Sequence, residues 1–334
     1  MPDHKRLMTP FERDELPVPA GPVLWLRGDA SPVLDLFDPA QLHVVQGFRP
    51  AHDRVASRGI TTLDKAGDGY DMALVSITRN RVETRGLIAT AWAALNPGGT
   101  LVVDGDKSDG IEGLLKDAKT VLPVEGTTSK AHGKVFWATR QAPDNPAIAQ
   151  WRDAAQPRTN DAGFVVAPGI FSADGVDPGS ARLASHFTAK ISGRVADFGA
   201  GWGWLSNQLL TVAPDITAID LYEAEAAALD AARHNVTDPR AGFFWADVPN
   251  TACREPYDMI IMNPPFHQTR KAEPQLGIGF VTSAQRFLKP GGQLWMVANR
   301  HLPYEATLEK AFRRIEKRHE DTQFKVFRAS KPRR

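Results

Sequence analysis

The chain has 334 residues, 42% of them apolar, a formal net charge of +1 and a single cysteine. Its length leads to an expectation of two domains. Cys253, alone, excludes an intrachain disulfide and any cysteine-based zinc cluster. Residues 1–150 carry 17 Lys and Arg against 19 Asp and Glu, and the remainder 23 against 20, so neither half is a polyanion-binding tail. A nucleic-acid partner would have to meet a local basic patch. The stretch "MPDHKRLMTPFERDELPVPAG" has no apolar h-region, and no run approaches the ~18–20 apolar residues of a membrane span. A cytoplasmic protein without membrane or metal partners is expected.

In chain order, "YDMALVSI" (70–77) reads as a strand, followed by a helical stretch, "LNPGGTLVV" (95–103) and "GKVFWATR" (133–140). The second half repeats these landmarks as "YDMIIMNPP" (257–265), "FLKPGGQLWMV" (287–297) and "FKVFRAS" (324–330). Pro-Gly-Gly combines a fixed φ with φ > 0, which predicts a tight chain reversal before a strand. Three landmarks in the same order indicate two tandem α/β domains of common ancestry. The stretch 140–163, rich in Pro, Asn, Asp and Ala, is expected to hold the connection, giving domains 1–145 and 164–334 with a linker at 146–163.

Alternation is clearest in the second half. "RVADFGA" (194–200), "ITAIDLYEA" (216–224), "AGFFWADV" (241–248) and "YDMIIM" (257–262) read as strands. "GWLSNQLLTVA" (203–213) and "EAAALDAARHNV" (225–236) read as helices from their apolar spacing and Ala/Leu content. Strands alternating with such helices predict a mostly parallel sheet covered on both faces, with ligands beyond the C-terminal strand ends.

Four features sit at those ends. "ADFGAGWGW" (196–204) places Asp197 before Gly199, Gly201 and Gly203; without side chains, such a loop brings backbone N–H groups close to a ligand at a helix N-terminus. It fits neither the dinucleotide fingerprint nor a P-loop. Glu223 ends the second strand, where an acid can accept both hydroxyls of a ribose, with Asp220 and Glu225 as competitors. Asp247, with Val248 beside it, ends the third, where a carboxylate can accept an exocyclic amine or simply form a turn. The fourth strand runs into Asn263-Pro264-Pro265-Phe266. A proline holds its predecessor in extended geometry, so the Asn263 amide oxygen and the Pro264 carbonyl converge on one point, and Phe266 offers a flat face. Two acceptors and a ring suit a planar group bearing an NH2.

Together these residues resemble the class I S-adenosylmethionine-dependent methyltransferases whose fourth strand ends in (Asn/Asp)-Pro-Pro-(Tyr/Phe), over roughly residues 160–330. The resemblance implies a Rossmann-like fold and S-adenosylmethionine as cofactor. It implies methionine and ribose contacts from Asp197, Gly199, Gly201 and Gly203, ribose binding by Glu223, adenine contacts from Asp247 and Val248, and catalysis at Asn263, Pro264, Pro265 and Phe266. The segment "PGIFSADGVDPGSARL" (168–183), with "NPPFH" and "FKVFRASK", is similar to the small-subunit ribosomal RNA guanine-N2 methyltransferases of the RsmC type. That group carries a degenerate methyltransferase domain ahead of the active one. Here "VLWLRGDASP" (23–32) stands where a Gly-rich motif would be, and Ser76-Ile77-Thr78 replaces Asn-Pro-Pro. The resemblance therefore implies a non-catalytic first domain for RNA docking and support. It implies methyl transfer to N2 of a guanine in 16S ribosomal RNA, free or in the small subunit, by a monomer. The same corner serves adenine N6 and protein glutamine amides, and a non-catalytic RNA-binding assembly factor is the alternative of another class.

Overall fold

The structure is a computed structural model that describes residues 5–141, 144–265 and 274–333. The chain divides into two compact units, Met1–Pro157 and Arg158–Arg334. In the first, chain order is α1 (Lys5–Glu12), β1 (Val23–Leu26), β2 (Leu42–Val45), α2 (Arg49–Ala56), β3 (Thr61–Leu63), β4 (Tyr70–Ser76), α3 (Arg81–Ala94), β5 (Leu95–Asp106), α4 (Ile111–Val121), β6 (Val124–Lys130), β7 (Gly133–Thr139) and α5 (Pro146–Ala154). The helix α5 occupies the first half of the stretch read as a linker. Pro146 starts it with Asn145 as cap, accepting from the Ala147 N–H at 3.0 Å.

The second unit opens with the short pair β8 (Arg158–Thr159) and β9 (Val165–Val166), then α6 (Pro178–Ala184). Its main body is β10 (Gly193–Phe198), α7 (Trp204–Val212), β11 (Ile216–Glu223), α8 (Ala226–Asn235), β12 (Ala241–Trp245), β13 (Tyr257–Met262), α9 (Pro274–Phe287), β14 (Leu288–Asn299), α10 (Glu305–Ala311), β15 (Phe312–Glu320) and β16 (Phe324–Pro332).

Both units build a seven-stranded sheet of one order: β3-β2-β1-β4-β5-β7-β6 and β12-β11-β10-β13-β14-β16-β15. All neighbours are parallel except those of β7 and of β16, which run against both flanking strands. The repeat extends to packing, since β5 and β14 share the same twelve-residue sequence of buried, half-buried and exposed positions. Pro-Gly-Gly does not reverse the chain in either unit. It lies inside β5 and β14 as an irregularity: pairing jumps from Tyr70↔Leu95 to Met72↔Thr100, and from Tyr257↔Leu288 to Met259↔Gln293. The Gly98 N–H bonds the Arg140 carbonyl and the Arg140 N–H the Gly99 carbonyl, so the extra residues pair sideways with the chain leaving β7.

In the second unit, side-chain alternation sends Ala196, Phe198, Ile260 and Met262 to one face of the sheet and Val195, Met259 and Ile261 to the other, each face covered by its own apolar cluster. One buried polar network crosses three strands: Tyr257 Oη donates to Asp220 Oδ2 at 2.7 Å, Arg194 Nη2 to the same oxygen at 2.5 Å, and the Tyr222 and Tyr257 hydroxyls meet at 2.7 Å. Sheet order reverses between β10 and β13, because β11 and β12 lie to one side and β14 to the other. Successive crossovers diverge there and leave a crevice above the strand ends.

Gly203 makes the turn from β10 into α7, with φ +87°. A Cβ there would lie 2.8 Å from Val236 and 3.2 Å from Ala232 on the neighbouring helix. Gly203→Ala is expected to lower unfolding stability by about 2 kcal/mol or more, from left-handed strain plus overpacking. Gly291→Ala, in open space, serves as control. Urea unfolding checks both: a Gly203→Ala midpoint equal to wild type would contradict this packing.

Candidate active site

Two strand-end loops face each other across the crevice. After β10, Gly199 and Gly201 adopt φ +72° and +56°. The N–H groups of Gly199 and Ala200 both bond the Tyr222 carbonyl, at 2.9 and 3.1 Å, so the loop folds over the end of β11. Glu223 then fixes it from behind. Its Oε2 accepts the Gly201 N–H and its Oε1 the Glu225 N–H, both at 2.8 Å. A Cβ on Gly201 would meet no described residue within 4 Å, so among the described residues the loop presents bare backbone.

A second anchor comes from α8. Asn235 accepts the Val165 N–H at 2.8 Å and donates to the Val165 and Trp202 carbonyls at 2.8 Å each. The buried Trp202 indole donates to the Phe171 carbonyl at 3.1 Å. The segment before β10 is thereby tied to the glycine loop, and Phe171, 61% exposed, stands at the edge of the cleft.

The opposite wall is the end of β13. Asn263 lines the cleft with Gly199 and Gly201. Its Nδ2 donates to Asp177 Oδ2 and to Ser180 Oγ, both at 2.9 Å. Asp177 caps α6, accepting the Ser180 N–H at 2.7 Å, with Pro178 at the first helical position. Pro264 is buried and Pro265 exposed, and the Pro265 ring lies 3.9 Å from where a Gly199 Cβ would project. Phe266 lies outside the described residues.

The remaining candidates, Asp197, Gly203, Glu223, Asp247 and Val248, are not among the residues that line this cleft. Gly203 sits behind the loop. Asp197 is fully buried beneath it: Ser206 Oγ donates to Oδ2 at 2.7 Å, and among the described residues Oδ1 has no partner. Asp247 follows β12, receiving the Asn250 amide at 2.7 Å, while Val248 is buried against Phe280 and Ala246 in the core. Glu223 touches the loop and not Asp247. Asp177, Ser180 and Asn235 escaped sequence reasoning as site residues. Asp-Pro-Gly-Ser does read as a helix start, but nothing in it points to an amide 86 residues away.

Register identifies the equivalent positions in the first unit. Leu26 pairs with Val45 and Val75 as Phe198 pairs with Tyr222 and Met262. Arg27, Gln46 and Ser76 therefore stand where Gly199, Glu223 and Asn263 do. Arg27 has φ +59° and pairs with Glu83 at 3.5 Å. Gln46 donates to the Gly28 carbonyl at 2.7 Å, and Ser76 accepts the Trp25 indole at 3.0 Å. Asp29 in the same loop is held by Arg54 at 2.6 Å.

Burial raises the Asp197 carboxyl to about 7, and the charge of Glu223 adds to the rise against the opposing Ser206 hydrogen bond. Burial also raises Glu223, opposed by the N–H groups it accepts. A carboxyl raised on folding binds its proton more tightly in the native state, so stability falls as pH rises from about 4 to 7 and levels above. Asp197→Asn removes the Asp197 share of that slope. Urea unfolding of wild type and Asp197→Asn across pH 4–8 is expected to show the wild type losing ground up to pH 7; a pH-independent difference would contradict the burial.

A family model described as methyltransferase small domain matches residues 161–328. Ribosomal RNA small subunit methyltransferase C of Psychromonas ingrahamii is 29% identical over 266 residues, spanning 77% of this chain and 75% of that protein. The protein of the same name from Escherichia coli O81 is 29% identical over 274 residues, spanning 81% and 78%. Among solved structures, the T. thermophilus 16S rRNA N2 G1207 methyltransferase (RsmC), in complex with AdoMet and guanosine, superposes with TM-score 0.79 at 23% identity, over 99% of this chain and 92% of that one. That likeness establishes two tandem methyltransferase-like folds; in the first, Arg27 stands at the position of Gly199. With its matched region covering the whole cleft described above, the chain belongs to the methyltransferase small-domain family.

Proposed function

We propose that this protein transfers a methyl group from S-adenosylmethionine to the exocyclic N2 of a guanine in 16S ribosomal RNA. The observation that carries the reading is the commitment of Asn263. Both hydrogens of Nδ2 are spent on Asp177 and Ser180, and among the described residues Oδ1 has no hydrogen-bond partner. The amide thus offers the cleft an acceptor, which is what an incoming NH2 group needs. The small-subunit RNA assignment draws support from the names of the relatives, and the guanine-N2 assignment from the name of the structural neighbour and the guanosine it binds.

The residues present fit the methyl donor. Gly199 and Gly201 leave room for close approach, the loop runs into the N-terminus of α7, and Glu223 reaches the loop from the second strand. In this reading Gly199, Gly201 and Gly203 shape the cradle, and Asp197 supports it from beneath. The Glu223 carboxylate, which already accepts the Gly201 and Glu225 N–H groups, keeps lone pairs for the ribose, and Asp247 with the Val248 backbone borders the adenine, the Val248 side chain being buried in the core. S-adenosylmethionine supplies an electrophilic methyl on a sulfonium, so its C–S bond breaks as the new C–N bond forms and S-adenosylhomocysteine leaves.

The chain's own part is positioning. Guanine N2 is a weak nucleophile because its lone pair is delocalised into the ring. Acceptance of its two N–H bonds by Asn263 Oδ1 and the Pro264 carbonyl favours a pyramidal nitrogen and aims the lone pair. Orientation of this kind supplies roughly 7–11 kcal/mol. The same acceptors stabilise positive charge as it develops on nitrogen, and the surplus amine proton passes to water. A base inside a helix cannot reach the cleft, so the target is single-stranded or flipped out. Phe266 serves as its stacking face. The first unit, whose Arg27, Gln46 and Ser76 are engaged within their own unit, does no chemistry and serves RNA docking and support.

Asn263→Ala is expected to lower methyl transfer by about 10²–10³-fold while S-adenosylmethionine binding by calorimetry changes little. Glu223→Ala should do the reverse, weakening binding of the donor most. The assay is transfer of labelled methyl to unmodified 16S RNA or small-subunit particles, with nucleoside analysis of the product. N2-methylguanosine is expected. Methyladenosine as sole product, or undiminished transfer by Asn263→Ala, would overturn the reading.

A further inference from the structure

The bracket around the Asn263 amide has more parts than a helix cap requires. Asp177 Oδ2 accepts two hydrogens, from the Ser180 N–H at 2.7 Å and from Asn263 Nδ2 at 2.9 Å. Ser180 Oγ accepts the other Nδ2 hydrogen at 2.9 Å. Gly179 between them is buried, and a Cβ there would lie 3.0 Å from Asp177 Oδ2 and 3.0 Å from the Phe324 ring. Only a residue without a side chain leaves the carboxylate where it is. Pro178 contributes no N–H to compete for it. Each residue of Asp-Pro-Gly-Ser (177–180) therefore has a part in presenting two acceptors to one amide.

An ionised carboxylate cannot donate. If the Asn263 amide turned over, its Oδ1 would face Asp177 Oδ2, two acceptors at hydrogen-bond distance, while Nδ2 would point into the cleft and repel an incoming amine. The carboxylate thus selects one of the two amide orientations. It also polarises the amide: a charge-assisted bond at N–H pushes electron density onto Oδ1, and hydrogen bonds in such a chain strengthen one another. A more negative Oδ1 matters most once positive charge has built up on the methylated nitrogen, which is the transition state.

We propose that Asp177 is a positioning residue for methyl transfer, which orients and polarises the Asn263 amide toward the acceptor amine, with Ser180 as its second support. The inference rests on the reading of Asn263 given above. It predicts a loss in kcat at little change in KM for RNA or in affinity for S-adenosylmethionine, since the bonds concerned are formed before substrate arrives and gain value only in the transition state.

The test compares Asp177→Asn, Asp177→Ser, Ser180→Ala, Asn263→Ala and the double variant Asp177→Asn/Asn263→Ala. Asn and Ser both retain an N-cap acceptor, so α6 keeps its start. Expected for Asp177→Asn and Asp177→Ser is a fall in kcat of about 10- to 100-fold, with KM and donor affinity within about twofold. In the Asn263→Ala background the Asp177 substitution should have no further effect, because the carboxylate acts through the amide. A readout apart from activity is the ¹⁵N-labelled side-chain amide of Asn263, identified by its loss in Asn263→Ala. Its proton signals should lie downfield in wild type and move upfield in Asp177→Asn. Wild-type kcat in the Asp177 variants, an equal effect with and without Asn263, or an unmoved amide signal would overturn the inference. If Asn263→Ala is inactive while the Asp177 variants are fully active, only this inference fails; if Asn263→Ala is fully active, the reading of the site fails with it.

Discussion

Whether a strand-end loop stays open or closes on itself is decided here by one side chain at the tip of the second strand. Glu223 accepts the Gly201 N–H and lies behind the loop, leaving bare backbone facing the crevice. Gln46, at the equivalent position of the first unit, can donate, and its amide holds the Gly28 carbonyl instead. The same strand order and the same packing of the fifth strand thus end in two different surfaces. In the second unit the open loop is joined by the turn at Gly203, the anchoring of Trp202 by Asn235, and the approach of Pro265 from across the crevice.

The cost of keeping a polar loop above a parallel sheet shows in the buried acids beneath it. Asp197 is enclosed with one oxygen unpartnered among the described residues, and burial raises its carboxyl to about 7. A group in that state is poorly matched to a purely structural part, because an apolar side chain would fill the space at less cost. Stability is given up beneath the glycine loop, where the proposed chemistry needs polar groups held in fixed positions.

Much of this architecture was legible in the residues. Repeated Tyr-Asp-Met and Pro-Gly-Gly landmarks reveal two α/β units because ancestry preserves local patterns even where a site is lost. Glycine spacing locates the loop, since positive φ at Gly199, Gly201 and Gly203 is a local property of residues without a Cβ. The part played by Pro-Gly-Gly was misread as a chain reversal. Its conformational preferences are local, but its actual pairing partner, Arg140, lies some 40 residues further along the chain.

The residues alone set local constraints: where strands end, where backbone must be bare, and where two prolines hold an amide in extended geometry. Tertiary structure alone decided which groups those constraints bring together. Asp177 and Asn263 are 86 residues apart, and only the sheet order places α6 over the end of β13 so that a helix cap can also hold an amide. Hydrogen-bond partners across such distances are set by topology, which arises from packing of the whole sheet and leaves no mark in any short stretch of residues.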